Sequence, residues 1–303
     1  MSCQKILICT RGKMKKIVCL TLSILLTVML LSCTKDIQGV SGCCYPFTLY
    51  EGSPVITLTV NGAEEKMSVD TGSHISYFFR SGMKKFINEE FIQKMNGDYD
   101  IASPMTFSTD SYLGYLKKTP LTFNYRPSAK GMRGIDGILG IDALCNCDYL
   151  IIDYKKKHFL MVDAEPECGY WCMAVADETC FDLPVTIGDT KITARLDTGS
   201  NLNDIYVQLS EYPEKYHEKL LIQSSLYNSD LYTYVRIYKM NYTFPGTKHI
   251  FRTSFYDMHL YADELYPPSA VKNRPSCLLG YPFFKRNVVC LDFKNRRIGI
   301  MKN

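Results

Sequence analysis

Residues 54–73 read PVITLTVNGAEEKMSVDTGS, and residues 183–200 read LPVTIGDTKITARLDTGS. Each is an apolar alternating run, a tight turn, a second run and then Asp-Thr-Gly-Ser. Period-two alternation marks a half-buried strand, so each stretch predicts a β-hairpin that ends on an aspartate. Asn61-Gly62 is a strong hairpin-turn signal, because both central positions must accept positive φ. The aspartate falls eight positions after Gly62 in the first copy and eight after Asp189 in the second.

The two copies also close alike. GILG at 137–140 is followed by YLIIDYKKKHFLMV at 149–162, and CLLG at 277–280 by NVVCLDFKNRRIGI at 287–300. Both are an apolar pair plus glycine, a short linker and a hairpin with a basic turn. An aspartate, Asp153 or Asp292, ends the first strand of each. An internal repeat of this kind predicts two structurally equivalent halves. The second copy is 13 residues longer between its aspartate and its apolar-apolar-glycine step, so insertions lie there.

Paired aspartates on two equivalent loops suit amide hydrolysis by water. Two carboxyls a few ångströms apart cannot both ionise, so they hold one proton and titrate as a unit. The ionised member takes a proton from water, while the protonated member hydrogen-bonds the carbonyl oxygen and later serves the leaving amine. Asp70 and Asp197 are the candidate catalytic pair. Gly72 and Gly199 permit close approach of the loops. Thr71 and Thr198 offer hydroxyls to cross-link them, and Ser73 and Ser200 are expected to hydrogen-bond the outer carboxylate oxygens. His74 reads as a cleft-wall or packing residue.

On these motifs the chain resembles the pepsin/retropepsin-like aspartic peptidase superfamily, in which each lobe supplies an Asp-Thr/Ser-Gly loop and a downstream apolar-apolar-glycine strand. The likeness covers about residues 52–301, and its specific motifs are four short stretches. It implies a mainly β, bilobal pepsin-like (acid protease) fold: two pseudo-twofold-related β lobes with a cleft between them. The lobes would be 53–165 and 182–303, joined by a connector at 166–181. The implied activity is aspartic endopeptidase, cutting an extended polypeptide held largely by its backbone, with no metal and no organic cofactor. The alternative is a catalytically inactive peptide-binding lipoprotein on the same fold. A flap over the substrate would lie between Ser73 and Gly140, with Phe107 or Tyr112 as its aromatic. Each lobe is shorter than in typical pepsins, and no zymogen-sized pro-segment fits between Cys33 and Ser53.

Charge places the chain. The net charge of +4 rests on Lys5, Arg11, Lys13, Lys15 and Lys16; without them 30 basic residues face 31 acidic ones. A near-neutral body has no electrostatic footprint for nucleic acid, and it gives no reason to expect an acid optimum. Residues 1–33 read as a lipoprotein signal peptide with its start at Met14. The apolar run 17–31 is too short for a comfortable membrane span, and Leu30-Leu31-Ser32-Cys33 resembles a lipobox. This predicts an exported monomer held to a bacterial membrane through acylated Cys33, with 34–52 as a tether.

Nine cysteines follow Cys33. No histidine sits at metal-ligand spacing from Cys145-x-Cys147 or Cys168-x3-Cys172, so disulfides are the expected use. Their partners stay open; Cys277 with Cys290 is one pairing. Helices are expected at Arg80–Met95 and around Glu211–Ile222. Lys155–Lys157 and Arg296-Arg297 read as solvated turns, and Tyr227, Tyr232, Tyr234 and Tyr238 as strand packing.

Overall fold

The computed structural model describes residues 42–60, 63–79, 105–112, 120–125, 134–175, 180–224, 230–262 and 275–301. The fold is mainly β. The described chain opens with β1 (Gly42–Pro46) and β2 (Thr48–Tyr50). The first repeat forms the expected hairpin from β3 (Ser53–Val60) and β4 (Ala63–Val69), in register from Val55↔Ser68 to Val60↔Ala63. The strands β5 (Tyr77–Phe78), β6 (Met105–Tyr112), β7 (Pro120–Tyr125) and β8 (Gly137–Leu139) complete a seven-stranded sheet. Its order is β2-β3-β4-β8-β5-β7-β6.

A short helix α1 (Ile141–Leu144) leads to the hairpin β9 (Tyr149–Asp153) and β10 (His158–Val162), and then to β11 (Tyr170–Met173). The second repeat begins with β12 (Asp182–Ile187) and β13 (Thr190–Leu196), joined through Gly188 at φ +56°. It continues through β14 (Asp204–Ile205), β15 (Tyr216–Ser224), β16 (Asp230–Thr243), β17 (Phe251–Asp257) and β18 (Cys277–Leu279). The sheet order is β12-β13-β18-β14-β17-β16-β15. After α2 (Tyr281–Phe284) comes the closing hairpin β19 (Val289–Asp292) and β20 (Arg297–Ile300).

The two sheets share one wiring. In each, the strand before the motif runs parallel to the apolar-apolar-glycine strand, β4 beside β8 and β13 beside β18. The short strand after the motif pairs antiparallel to that same strand, β5 with β8 and β14 with β18.

A third sheet, β1-β10-β9-β19-β20-β11, takes a hairpin from each half and reads alike from either edge. At its centre β9 and β19 pair from Val289↔Ile152 to Asp292↔Tyr149. Every residue of both strands is buried, which explains their continuous apolar runs. Leu150, Ile152, Leu291 and Ile298 face the main core, whereas Tyr149, Ile151, Leu160 and Cys290 pack on the other side with Cys168, Trp171 and Met301.

Several expectations need correction. Residues 42–50, read as tether, are β1 and β2, paired to β10 and β3. The connector contains β11, paired to β20. The helix expected around Glu211–Ile222 is instead β15, in nine-residue register with β16 from Tyr216↔Tyr238 to Ser224↔Asp230. Cross-strand pairing outweighs the local spacing there, with Tyr216 and Tyr238 rings 5.8 Å apart. Arg296 and Arg297 are only partly exposed. Arg296 donates to Cys180 O and lies over the Phe181 ring, while Arg297 pairs with Asp292 and Glu165 and covers Trp171. Cys277 and Cys290, the pairing named above, stand on different sheets, and the nine described cysteines are reduced in this structure. Tyr238 is buried, but Tyr234 is 68% exposed. The leader with Cys33 and the helix expected at Arg80–Met95 lie outside the described residues. Among the described residues no helix is long and apolar enough to cross a membrane.

Candidate active site

The shared wiring sets both motif loops. Asp70 N–H donates to Leu139 O at 2.9 Å, and Asp197 N–H to Leu279 O at 3.1 Å. Each loop therefore hangs from the apolar-apolar-glycine strand beside it. Ser76 and Asn203, each six residues past its aspartate, accept the N–H of Gly140 and Gly280 at 3.0 and 2.9 Å. The chain leaving each motif is thus tied to the same strand.

Threonines lock the loops together across the molecule. Thr71 N–H donates to Thr198 Oγ1 at 3.0 Å, and Thr198 N–H to Thr71 Oγ1 at 3.1 Å. The hydroxyls pass their protons on, Thr71 to Leu196 O at 2.8 Å and Thr198 to Val69 O at 2.7 Å. Both threonines are fully buried. All four bonds run between the halves, so the relative position of the aspartates is set by four short contacts.

That position is face to face. A Cβ on Gly72 would stand 2.5 Å from Asp197 Cγ, and one on Gly199 would stand 2.6 Å from Asp70 Cγ. Only glycine admits the opposing carboxyl, which is the close approach expected from sequence. The two carboxyls hydrogen-bond each other. Gly72 N–H and Ser73 N–H donate to Asp70 Oδ1 at 2.8 and 3.1 Å, and Ser200 N–H to Asp197 Oδ1 at 3.0 Å. The serine hydroxyls do not take the carboxylate role expected of them. Ser73 donates to Ile75 O and Ser200 to Leu202 O, so they brace the loops while backbone N–H groups hold the carboxylates.

Burial dominates the electrostatics of the pair. Burial, then the facing Asp197 charge and hydrogen bond, hold the Asp70 carboxyl well above the usual aspartate range. Burial raises Asp197 too, but the hydrogen bond from Asp70, the Ser200 and Gly199 amides and the Arg195 charge all pull it down. The pair retains a proton where ordinary aspartates have lost theirs. Arg195 is itself buried in a bidentate pair with Asp182, at 2.7 and 2.9 Å. Both aspartates keep partial solvent contact despite the protein packed around them.

Three nearby groups escaped the sequence reading. Ser53 and Cys180 each stand 17 residues before their aspartate. Ser53 Oγ donates to Gly199 O at 2.8 Å, and Cys180 Sγ to Gly72 O at 3.5 Å. They brace opposite loops from matching positions, and that spacing was the signal available. Burial pushes the Cys180 thiol up to about 12, so it stays a neutral donor. His74 Nδ1 lies 3.2 Å from it, which makes His74 a packing partner. Tyr154, buried under the loops, reaches Thr198 O at 3.5 Å and stacks on Phe284. Phe107 and Tyr112 lie on β6, opposite Phe123 and Pro120; their side chains are outside the described residues.

In comparison with solved structures, the chain is similar to conglutin gamma, a basic 7S globulin from lupine seeds. The match covers 87% of this chain and 95% of that one, at a TM-score of 0.54 and 10% identity. At that identity the likeness shows the fold alone. No family model matches the sequence, and no curated protein does.

Proposed function

We propose that this protein is an aspartic endopeptidase of bilobal, pepsin-like architecture, exported and tethered to the bacterial envelope through acylated Cys33. The observation that carries the reading is the interlocked approach of Asp70 and Asp197, with a glycine left bare opposite each carboxyl. The ionised member of the pair accepts a proton from an attacking water. The protonated member donates to the scissile carbonyl oxygen as negative charge develops there. A protonated carboxyl of the pair then serves the leaving amine, and no covalent intermediate forms. The threonine lock supplies preorganisation, because carboxyls fixed before substrate arrives need no rearrangement in the transition state. An extended peptide between the halves is the fitting substrate, held by backbone hydrogen bonds with side-chain pockets around it.

The test is cleavage of a diverse peptide library, followed by mass spectrometry. Asp70→Asn and Asp197→Asn are each expected to lower kcat/KM by roughly 10²–10⁴-fold. Both variants should remain folded, since asparagine keeps the size and adds no buried charge. Pepstatin-type inhibitors should raise the thermal midpoint of the wild type. Peptide capture without cleavage by wild type and variants alike would replace this reading with that of an inactive peptide-binding lipoprotein.

A further inference from the structure

The outer face of the shared sheet carries a row of residues that neither half uses for the dyad. Following the register, Cys44 pairs with Leu160, Leu160 with Ile151, Ile151 with Cys290, Cys290 with Gly299 and Gly299 with Trp171. Cross-strand partners point to the same face. Gly299 therefore leaves a gap beside the Cys290 side chain. Cys168 fills it: a Cβ on Gly299 would overlap Cys168 Sγ and stand 3.1 Å from Cys168 Cβ. The two thiols are hydrogen-bonded.

The segment that brings Cys168 there is pinned on both sides. Gly169 N–H donates to Ile300 O at 2.9 Å, and Glu165 pairs with Arg297 at 2.7 Å. Arg297 in turn lies 4.2 Å from the Trp171 ring. Cys168 is thus held over Cys290 by contacts that do not depend on either sulfur. We infer that Cys168 and Cys290 form a disulfide on export, clamping the connector to the shared sheet.

The chemistry has a defined order. Cys168 is partly exposed and Cys290 is fully buried, so the incoming oxidant meets Cys168. The Cys168 thiolate attacks a small-molecule disulfide such as oxidised glutathione and expels one small thiolate. Cys290 then loses its proton and attacks Cys168 Sγ, expelling the second. Two protein thiols lose two protons and two electrons, and the small disulfide is reduced to two thiols. The neighbouring Cys168 thiol and burial hold Cys290 protonated; forming the mixed disulfide removes that first restraint. The bond would enclose the whole second seven-stranded sheet in one covalent loop that begins and ends at the shared sheet. Long loops gain most from such closure. Cys147 is also close to Cys290, but its thiol faces the main core and donates to Leu144 O.

The full chain, equilibrated in a glutathione redox buffer, is digested without reduction and mapped by mass spectrometry. A single linked peptide pair joining Cys168 to Cys290 is expected. Joining of Cys290 to Cys147, or alkylation of both Cys168 and Cys290 after oxidation and unfolding, would overturn the inference. Because Cys290 is a core residue, the variant of choice is Cys168→Ser. In oxidised wild type, adding reductant should lower the thermal midpoint by roughly 5–10 °C. Cys168→Ser should begin near the lower value and not respond. A reductant shift that persists in Cys168→Ser would place the stabilising bond elsewhere. None of these outcomes depends on whether Asp70 and Asp197 hydrolyse peptides.

Discussion

Three carboxyls, Asp70, Asp197 and Asp204, give the protein its sharpest pH dependence. Burial raises both members of the Asp70–Asp197 pair above the ordinary 3.8, and the facing Asp197 charge raises Asp70 further. With the singly protonated pair as the working form, kcat/KM against pH is bell-shaped, its upper limb above 3.8. Activity confined to below about pH 4 would contradict this. Asp204 acts on stability instead. Its Oδ1 is buried with no hydrogen-bond partner, Tyr206 donates to Oδ2 at 3.1 Å, and burial pushes it up to about 7. Between the ordinary 3.8 and about 7, the folded protein keeps a proton that the unfolded chain releases. Stability from this group is therefore complete below 3.8, declines as pH rises to about 7, and stays low above it. Asp204→Asn should remove that decline and stabilise the protein at pH 8 by about 2–4 kcal/mol, read by urea melts at pH 5 and pH 8. Equal slopes in variant and wild type would assign the pH dependence to other groups. The dyad was legible in sequence because the repeat flagged it twice. Asp204 was not, because its missing partner is a product of packing among residues distant in the chain.

Hairpin turns show the same division at the next scale. Asp153 accepts the N–H of Lys155 and Lys156 at 2.9 Å each, and Asp292 accepts that of Asn295 at 2.9 Å. The aspartate that ends each first strand is thus a turn brace. Both turns end on a non-glycine residue at positive φ, Lys157 at +55° and Arg296 at +53°. Lys157 is exposed, whereas Arg296 bonds Cys180 O and covers Phe181. Lys157→Gly should therefore stabilise by about 0.5–1 kcal/mol through relief of left-handed strain. Arg296→Gly should not, because lost contacts offset the relief. Paired denaturant melts distinguish the two; equal gains would mean that Arg296 contributes only strain. The matching hairpins, the basic turns and the apolar-apolar-glycine strands were all readable from alternation and repetition. The strand character of Tyr216–Ser224 was not, since nothing local opposed a helix and its partner β16 decides it. Likewise β1 and β11 are short strands without alternation, each paired onto the open edge of a hairpin.

Across the whole molecule, the shared sheet couples the halves. Its central pair, β9 with β19, joins a strand of one repeat to a strand of the other, and both are buried on both faces. Separating the halves would expose two apolar strand edges and break the four threonine contacts at the dyad. Neither half can lose its structure without stripping the other of its floor, so unfolding should be one cooperative event despite two repeats. Calorimetry of the wild type is expected to show a single endotherm with calorimetric and van't Hoff enthalpies equal. Ile152, fully buried opposite Val289, tests the coupling directly. Ile152→Ala removes core volume worth about 2–5 kcal/mol, which should move the endotherm down by roughly 5–15 °C without splitting it. A split peak, with one component at the wild-type temperature, would show that the second half stands alone. The dyad would then rely on threonine contacts between two independently folding bodies.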